Sequence, residues 1–105
     1  MKNQLSQIPK LRIKLETLLF TIDLKNKQSS HYYPETIFEE YNELIQKLLL
    51  YKDTVTEIEK NTIKLEKMNL ITRFYTRKKD KNLLVYYKLN YPVQTCYAKI
   101  KEYYG

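Results

Sequence analysis

The sequence predicts a mainly helical α+β domain in which three helices are followed by a β-hairpin and a closing helix. Three observations lead there. Apolar residues recur at helical spacing in four separate segments. The one stretch that breaks this period, about residues 70–89, is rich in strand formers and is split by a polar turn. A length of 105 residues suits one domain and leaves little room for a second.

The elements follow in order. Ile8, Leu11, Leu15, Leu18 and Ile22 place an amphipathic helix over about residues 6–24, with Ser6 and Pro9 where helix starts tolerate them. Lys25 to Tyr33 is polar, contains Ser29-Ser30 and reads as a loop. Pro34 opens a second helix over about 34–52, with Ile37, Phe38, Tyr41, Leu44, Ile45 and Leu48 on one face and Glu35, Glu39, Glu40 and Glu43 on the other. Those carboxylates suit the positive end of the helix dipole, and they also offer an acidic docking surface for a basic protein. A short break at Tyr51-Lys52-Asp53-Thr54 leads to a third helix over about 54–68, whose expected buried stripe is Val55, Ile58, Leu65 and Met68 with Thr62 in line. Asn69 then stands at the left-handed position that stops a helix. Leu70-Ile71 starts the hairpin of residues 70–89, with its turn from Lys78 to Asn82. Pro92 opens the last helix, 92–104, with Val93, Cys96, Tyr97, Ile100 and Tyr104 at helical spacing.

This order is that of a winged helix-turn-helix domain. The segment from Asn61 through Leu65 and Met68-Asn69 to Leu70-Ile71 resembles that family's junction between third helix and wing, where a helix ends in a tight left-handed turn and a Leu-Ile pair enters the first wing strand. Asn69 stands where the family commonly has Gly. The resemblance covers about residues 34–90 and implies a single α-α-α-β-β-α domain that binds nucleic acid, although some winged helices serve only as protein contacts.

Composition narrows the function. Residues 1–59 carry eight basic and nine acidic side chains, a net of −1, and residues 60–105 carry eleven and three, a net of +8, so the positive charge of the chain sits in its C-terminal half. A polyanion partner is therefore expected there; the other account is a Lys-rich surface that serves solubility alone. Hydrophobic residues make up 43% of the chain, enough for a core. No apolar stretch approaches the roughly 18 residues needed to span a bilayer, and Lys10, Arg12, Lys14 and Glu16 interrupt any signal-peptide pattern. Neither a membrane partner nor export is expected. One cysteine, Cys96, permits no internal disulfide, which fits a cytoplasmic location.

Catalysis lacks its parts. His31 is the only histidine and falls in a loop, while Cys96 falls on an apolar stripe and reads as core. Two such residues cannot complete a zinc site. With Gly105 as the only glycine no phosphate-cradling loop is available. No enzyme activity, metal or cofactor is expected.

The third helix is a weak reader of duplex DNA. Lys60, Lys64 and Lys67 balance Glu57, Glu59 and Glu66, no Arg is present, and Asn61 is the only evident base reader. In the hairpin, alternation separates Leu70, Thr72, Phe74 and Thr76 from Ile71, Arg73, Tyr75 and Arg77; on the returning strand it turns Leu83, Val85, Tyr87 and Leu89 inward and Leu84, Tyr86 and Lys88 outward. One face is thus expected to combine Arg73, Tyr75, Arg77, Tyr86 and Lys88 with a tip of Lys78, Lys79 and Lys81, flanked by Lys60 and Lys64. Cations along phosphates beside aromatics that stack on bases form the chemistry of single-strand binding, each stacked base contributing roughly 1–3 kcal/mol. Tyr is equally a favoured strand residue that pairs across hairpins, and a basic tip also suits duplex phosphates.

A one-domain chain of this order, rich in Tyr and Lys, resembles the small single-stranded-DNA-binding proteins of staphylococcal cassette chromosome elements. That resemblance implies a role in replicating a mobile element. Two other expectations stay open: a dimeric regulator whose third helix reads an operator, and an accessory subunit docking on a replication enzyme. A monomer or weak dimer fits the first reading.

Overall fold

The elements are α1 (Lys2–Gln28), α2 (Pro34–Leu49), α3 (Val55–Lys67), β1 (Ile71–Arg77), β2 (Leu83–Leu89) and α4 (Val93–Tyr104). They come from a computed structural model that describes the backbone of residues 2–28, 34–77 and 83–105 and the side chains of 10–28, 36–75 and 86–105. The fold is mainly helical with one two-stranded antiparallel hairpin, as the periodicities predict.

α1 is the spine. Leu15, Leu18, Leu19 and Ile22 are buried along it, and it packs against α2, α3, α4 and β2. From α2 come Ile37, Phe38, Tyr41 and Ile45, from α3 Ile58 and Leu65, and from α4 Cys96 and Ile100. Leu70, Ile71 and Tyr87 complete the cluster from the hairpin side. Cys96 is core packing, as its place on the apolar stripe predicts; burial pushes its thiol up from the ordinary range.

α1 is longer than expected at both ends. It begins at Lys2, runs through Pro9, whose ring lacks the N–H for one helical bond, and continues to Gln28. Lys25 and Asn26, read as loop residues because they are polar, serve as ties. Lys25 is buried and pairs with Glu40 of α2. Asn26 Nδ2 donates to the Tyr87 carbonyl at 2.9 Å, and its Oδ1 accepts from the Leu89 N–H at 3.4 Å. One amide side chain thereby pairs with two backbone groups on the β2 edge, and this ties the hairpin to the spine.

The α2–α3 turn is held by a buried polar node. Tyr41 Oη donates to Asp53 Oδ2 at 2.5 Å and Lys14 Nζ lies 3.0 Å from Asp53 Oδ1. Asn42 closes the node by donating to the Asp53 carbonyl at 3.0 Å and accepting its N–H at 2.9 Å. Burial, reinforced by the Asp53 hydrogen bond, holds the Tyr41 phenol far above its ordinary range. The Lys14 ammonium is disfavoured by burial, but its hydrogen bonds to Tyr51 and Asp53 outweigh that and raise it. Just before the node α2 ends at Leu49, earlier than expected, because Leu50 takes φ 64° and sends the chain out of the helix.

α3 opens at Thr54, whose hydroxyl accepts the Glu57 N–H at 3.2 Å. Its buried stripe is Ile58, Asn61, Thr62 and Leu65. Val55, expected on that stripe, is exposed in the first turn. The Thr62 hydroxyl donates to the Ile58 carbonyl at 2.9 Å, which satisfies it inside the core. The helix stops as predicted: Asn69 has φ 61°, its N–H bonds the Glu66 carbonyl, and the Leu70 N–H reaches back to the Leu65 carbonyl. This is the Schellman pattern, with Leu70 and Leu65 both buried beside it.

Candidate nucleic-acid interface

The hairpin register divides the residues that the sequence placed on one face. Arg73 pairs with Tyr87, Phe74 with Tyr86, Tyr75 with Val85 and Arg77 with Leu83, while Thr72 faces Lys88. Directly paired residues point to the same side of a sheet. Arg73 and Tyr75 therefore share the side of buried Tyr87, and Tyr86 and Lys88 share the opposite side with Thr72 and Phe74. The expected single face of Arg73, Tyr75, Arg77, Tyr86 and Lys88 does not exist. Alternation counted from Leu70 as an inward residue would turn Arg73 and Tyr75 outward. Leu70 is buried ahead of the strand by the helix stop, and Ile71 sets the strand's inward phase.

On the core side Arg73 is already engaged. Its Nη2 lies 2.7 Å from Glu66 Oε1 of α3, and its guanidinium stands 5.6 Å from the Tyr87 ring centroid. Tyr75, farther toward the tip, is 57% exposed. The Arg77 side chain and Lys78, Lys79 and Lys81 lie outside the described residues, as does His31.

The outer side carries a cation beside a ring pair. Phe74 and Tyr86 stack with centroids 5.3 Å apart and planes 14° apart. Lys88 Nζ lies 5.8 Å from the Phe74 centroid, and Phe74 stays 39% exposed. The cross-strand packing role open to Tyr86 is thus realised, and the same pair forms a ring surface that solvent reaches. Phe74, which the sequence reading left out, belongs to it.

At the base of this side a polar chain leads to α4. Thr72 Oγ1 donates to Asn90 Oδ1 at 2.6 Å, and Asn90 Nδ2 donates to the Asn69 carbonyl at 3.0 Å. Asn69 Nδ2 in turn donates to Tyr91 Oη at 3.4 Å, and Lys99 Nζ of α4 stands 5.0 Å from the Tyr91 centroid.

The charge balance of α3 is divided in space. Lys60, Lys64 and Lys67 recur at i, i+4 and i+7 and form one exposed stripe, whereas Glu59 and Glu66 are seven apart on another. Glu66 is committed to Arg73, and among the described residues Lys60 pairs only with exposed Glu57, at 3.7 Å. Asn61, the expected base reader, is 4% exposed and belongs to the core. Lys64 and Lys67 border a groove of about 490 Å³ between α3 and α4, lined also by Met68, Lys99, Glu102, Tyr103 and Tyr104. A second groove of about 420 Å³, lined by Ile13, Phe20, Leu44, Leu48 and Tyr97 with Glu16 and Thr17, is mainly apolar.

Among the described residues no three His, Cys, Asp or Glu side chains gather where a metal ion could sit. None of the described helices is long and apolar enough to cross a membrane. The chain matches no protein-family model, no curated protein and no solved structure.

Proposed function

We propose that this chain is a winged helix-turn-helix protein of the cytoplasm that binds single-stranded DNA through the outer side of its hairpin, in the replication of a mobile element. One observation carries the reading: the stacked Phe74–Tyr86 pair, reachable by solvent and flanked by Lys88. A ring pair of this kind continues into a stacked base, and the ammonium meets the phosphate beside it. Duplex bases are already stacked on one another and offer no free face. Burial of Asn61 weighs against the regulator alternative, because it withdraws from solvent the one amide on α3 that could pair bidentately with adenine.

The accessory-subunit alternative draws on the apolar groove beside exposed Phe20 and Leu48. Fluorescence anisotropy with labelled single-stranded and duplex oligonucleotides of equal length, at two salt concentrations, separates the three. Tighter single-strand binding that weakens with salt is expected. Tighter binding to a palindromic duplex supports the regulator, and binding to a replication enzyme without DNA affinity supports the subunit.

A further inference from the structure

We infer that the groove between α3 and α4 is a second phosphodiester site, which receives the same DNA strand after it leaves the hairpin. The inference rests on the single-strand reading above and extends it to a part of the molecule that the hairpin does not explain.

Four features point to this occupant. Lys64, Lys67 and Lys99 line the groove against one carboxylate, Glu102, so its surroundings favour an anion. None of the three lysines has an ion-pair partner among the described residues, so cationic side chains are available to phosphates. Tyr103 is 72% exposed at the rim and packs edge-on against Tyr104 with centroids 4.9 Å apart, which holds an aromatic surface for a base. The fourth feature is continuity. From Lys88 and Phe74 the polar chain Thr72, Asn90, Asn69 and Tyr91 leads to Lys99, which lines the groove.

A protein segment is the poorer fit, since an acidic peptide requires carboxylates at several fixed positions, whereas a nucleic acid supplies phosphates at a regular interval. A duplex is also disfavoured: the aromatic surfaces at both ends of the path need unstacked bases.

The test uses the whole chain and oligo(dT) of increasing length across the roughly 4–16 nucleotides that such sites cover. Affinity is expected to rise again once the strand is long enough to reach from the hairpin into the groove. The double variant Lys67→Ala/Lys99→Ala should bind the shortest oligonucleotides like the parent and lose the gain on longer ones. Two lost phosphate contacts lower the log–log salt slope on long strands by about 1.4, so between about 50 and 200 mM salt the parent loses roughly sevenfold more affinity than the variant.

Both lysines are exposed, and the variant should melt as one folded domain, lowered at most by the lost Lys99–Tyr91 contact. If the variant follows the parent at every length and salt, or if duplex shows the same lysine-dependent gain, the inference is overturned. If Tyr86→Ala binds normally while the double variant binds nothing, the hairpin reading fails and the groove stands as the site. If the parent binds no single strand at any length, both fail.

Discussion

Replacing Tyr86 by Ala removes half of the stacked pair and separates base binding from hairpin packing. The ring lies 5.3 Å from Phe74, so part of its role is structural: cross-strand pairs of this kind contribute roughly 0.2–1 kcal/mol. The core beneath, from Ile71 and Tyr87 on the other side, stays buried, and the variant should fold with a slightly lowered melting temperature. The affinity effect should be larger. A lost base stack costs roughly 1–3 kcal/mol, which is about 5- to 140-fold in Kd at about 1.4 kcal/mol per decade. Stacking releases no counterions, so the log–log salt slope should match the parent's. Tyr86→Phe keeps the ring and should bind within a few-fold of the parent. Anisotropy titrations at four salt concentrations, with thermal melts beside them, read all three quantities. A folded Tyr86→Ala protein with unchanged affinity would refute the reasoning, and so would a loss that tracks unfolding.

Further predictions concern the frame that positions the site. Leu50 adopts φ 64° with its side chain 87% exposed; since a left-handed conformation costs an L-residue roughly 1–2 kcal/mol, Leu50→Gly should raise the urea midpoint, whereas destabilisation would mean that the side chain has a role the fold does not show. Leu65→Ala should cost about 2–5 kcal/mol in urea unfolding, because Leu65 is buried and also packs the α3 stop; a near-neutral result would contradict its place in the core. Burial raises both Cys96 and Tyr41 above ordinary values of 9.0 and 10.0. The unfolded chain therefore gives up protons that the folded chain keeps, and stability should fall as pH rises above about 9. Tyr41→Phe should lose roughly 1–3 kcal/mol at neutral pH by leaving Asp53 without its phenol, yet lose less than the parent on going to about pH 11; a parent midpoint flat above about pH 9 would contradict the burial.

Sequence periodicity was enough for the element order, because each buried stripe is set by local spacing: Leu15, Leu18 and Ile22 on α1, Cys96 and Ile100 on α4. The Asn69 stop was equally legible, since few residues tolerate φ 61°. What escaped were properties that depend on distant partners. Lys25 and Asn26 look like loop residues until Glu40 and the β2 edge are placed beside them. Asn61 looks like a base reader because polarity alone does not tell a helix's core side from its solvent side. Strand phase was ambiguous because Leu70 and Ile71 are both apolar and both buried, and a slip of one residue exchanges the two faces. The charge count on α3 cancels, yet spacing puts Lys60, Lys64 and Lys67 on one stripe, a pattern that the sequence already held. The groove itself needs α4 against α3, which no local pattern specifies.

The most direct measurement is a two-dimensional NMR titration of the isotope-labelled chain with oligo(dT), following the backbone amides and the aromatic rings. The account predicts that Phe74, Tyr86 and Lys88 shift first and furthest, with ring signals moving upfield as a base stacks on them. Lys99 and Tyr103 should follow on longer strands, while Asn61 and Leu48 stay in place. Shifts centred on Ile13, Phe20 and Leu48, or none at saturating oligonucleotide, would contradict it.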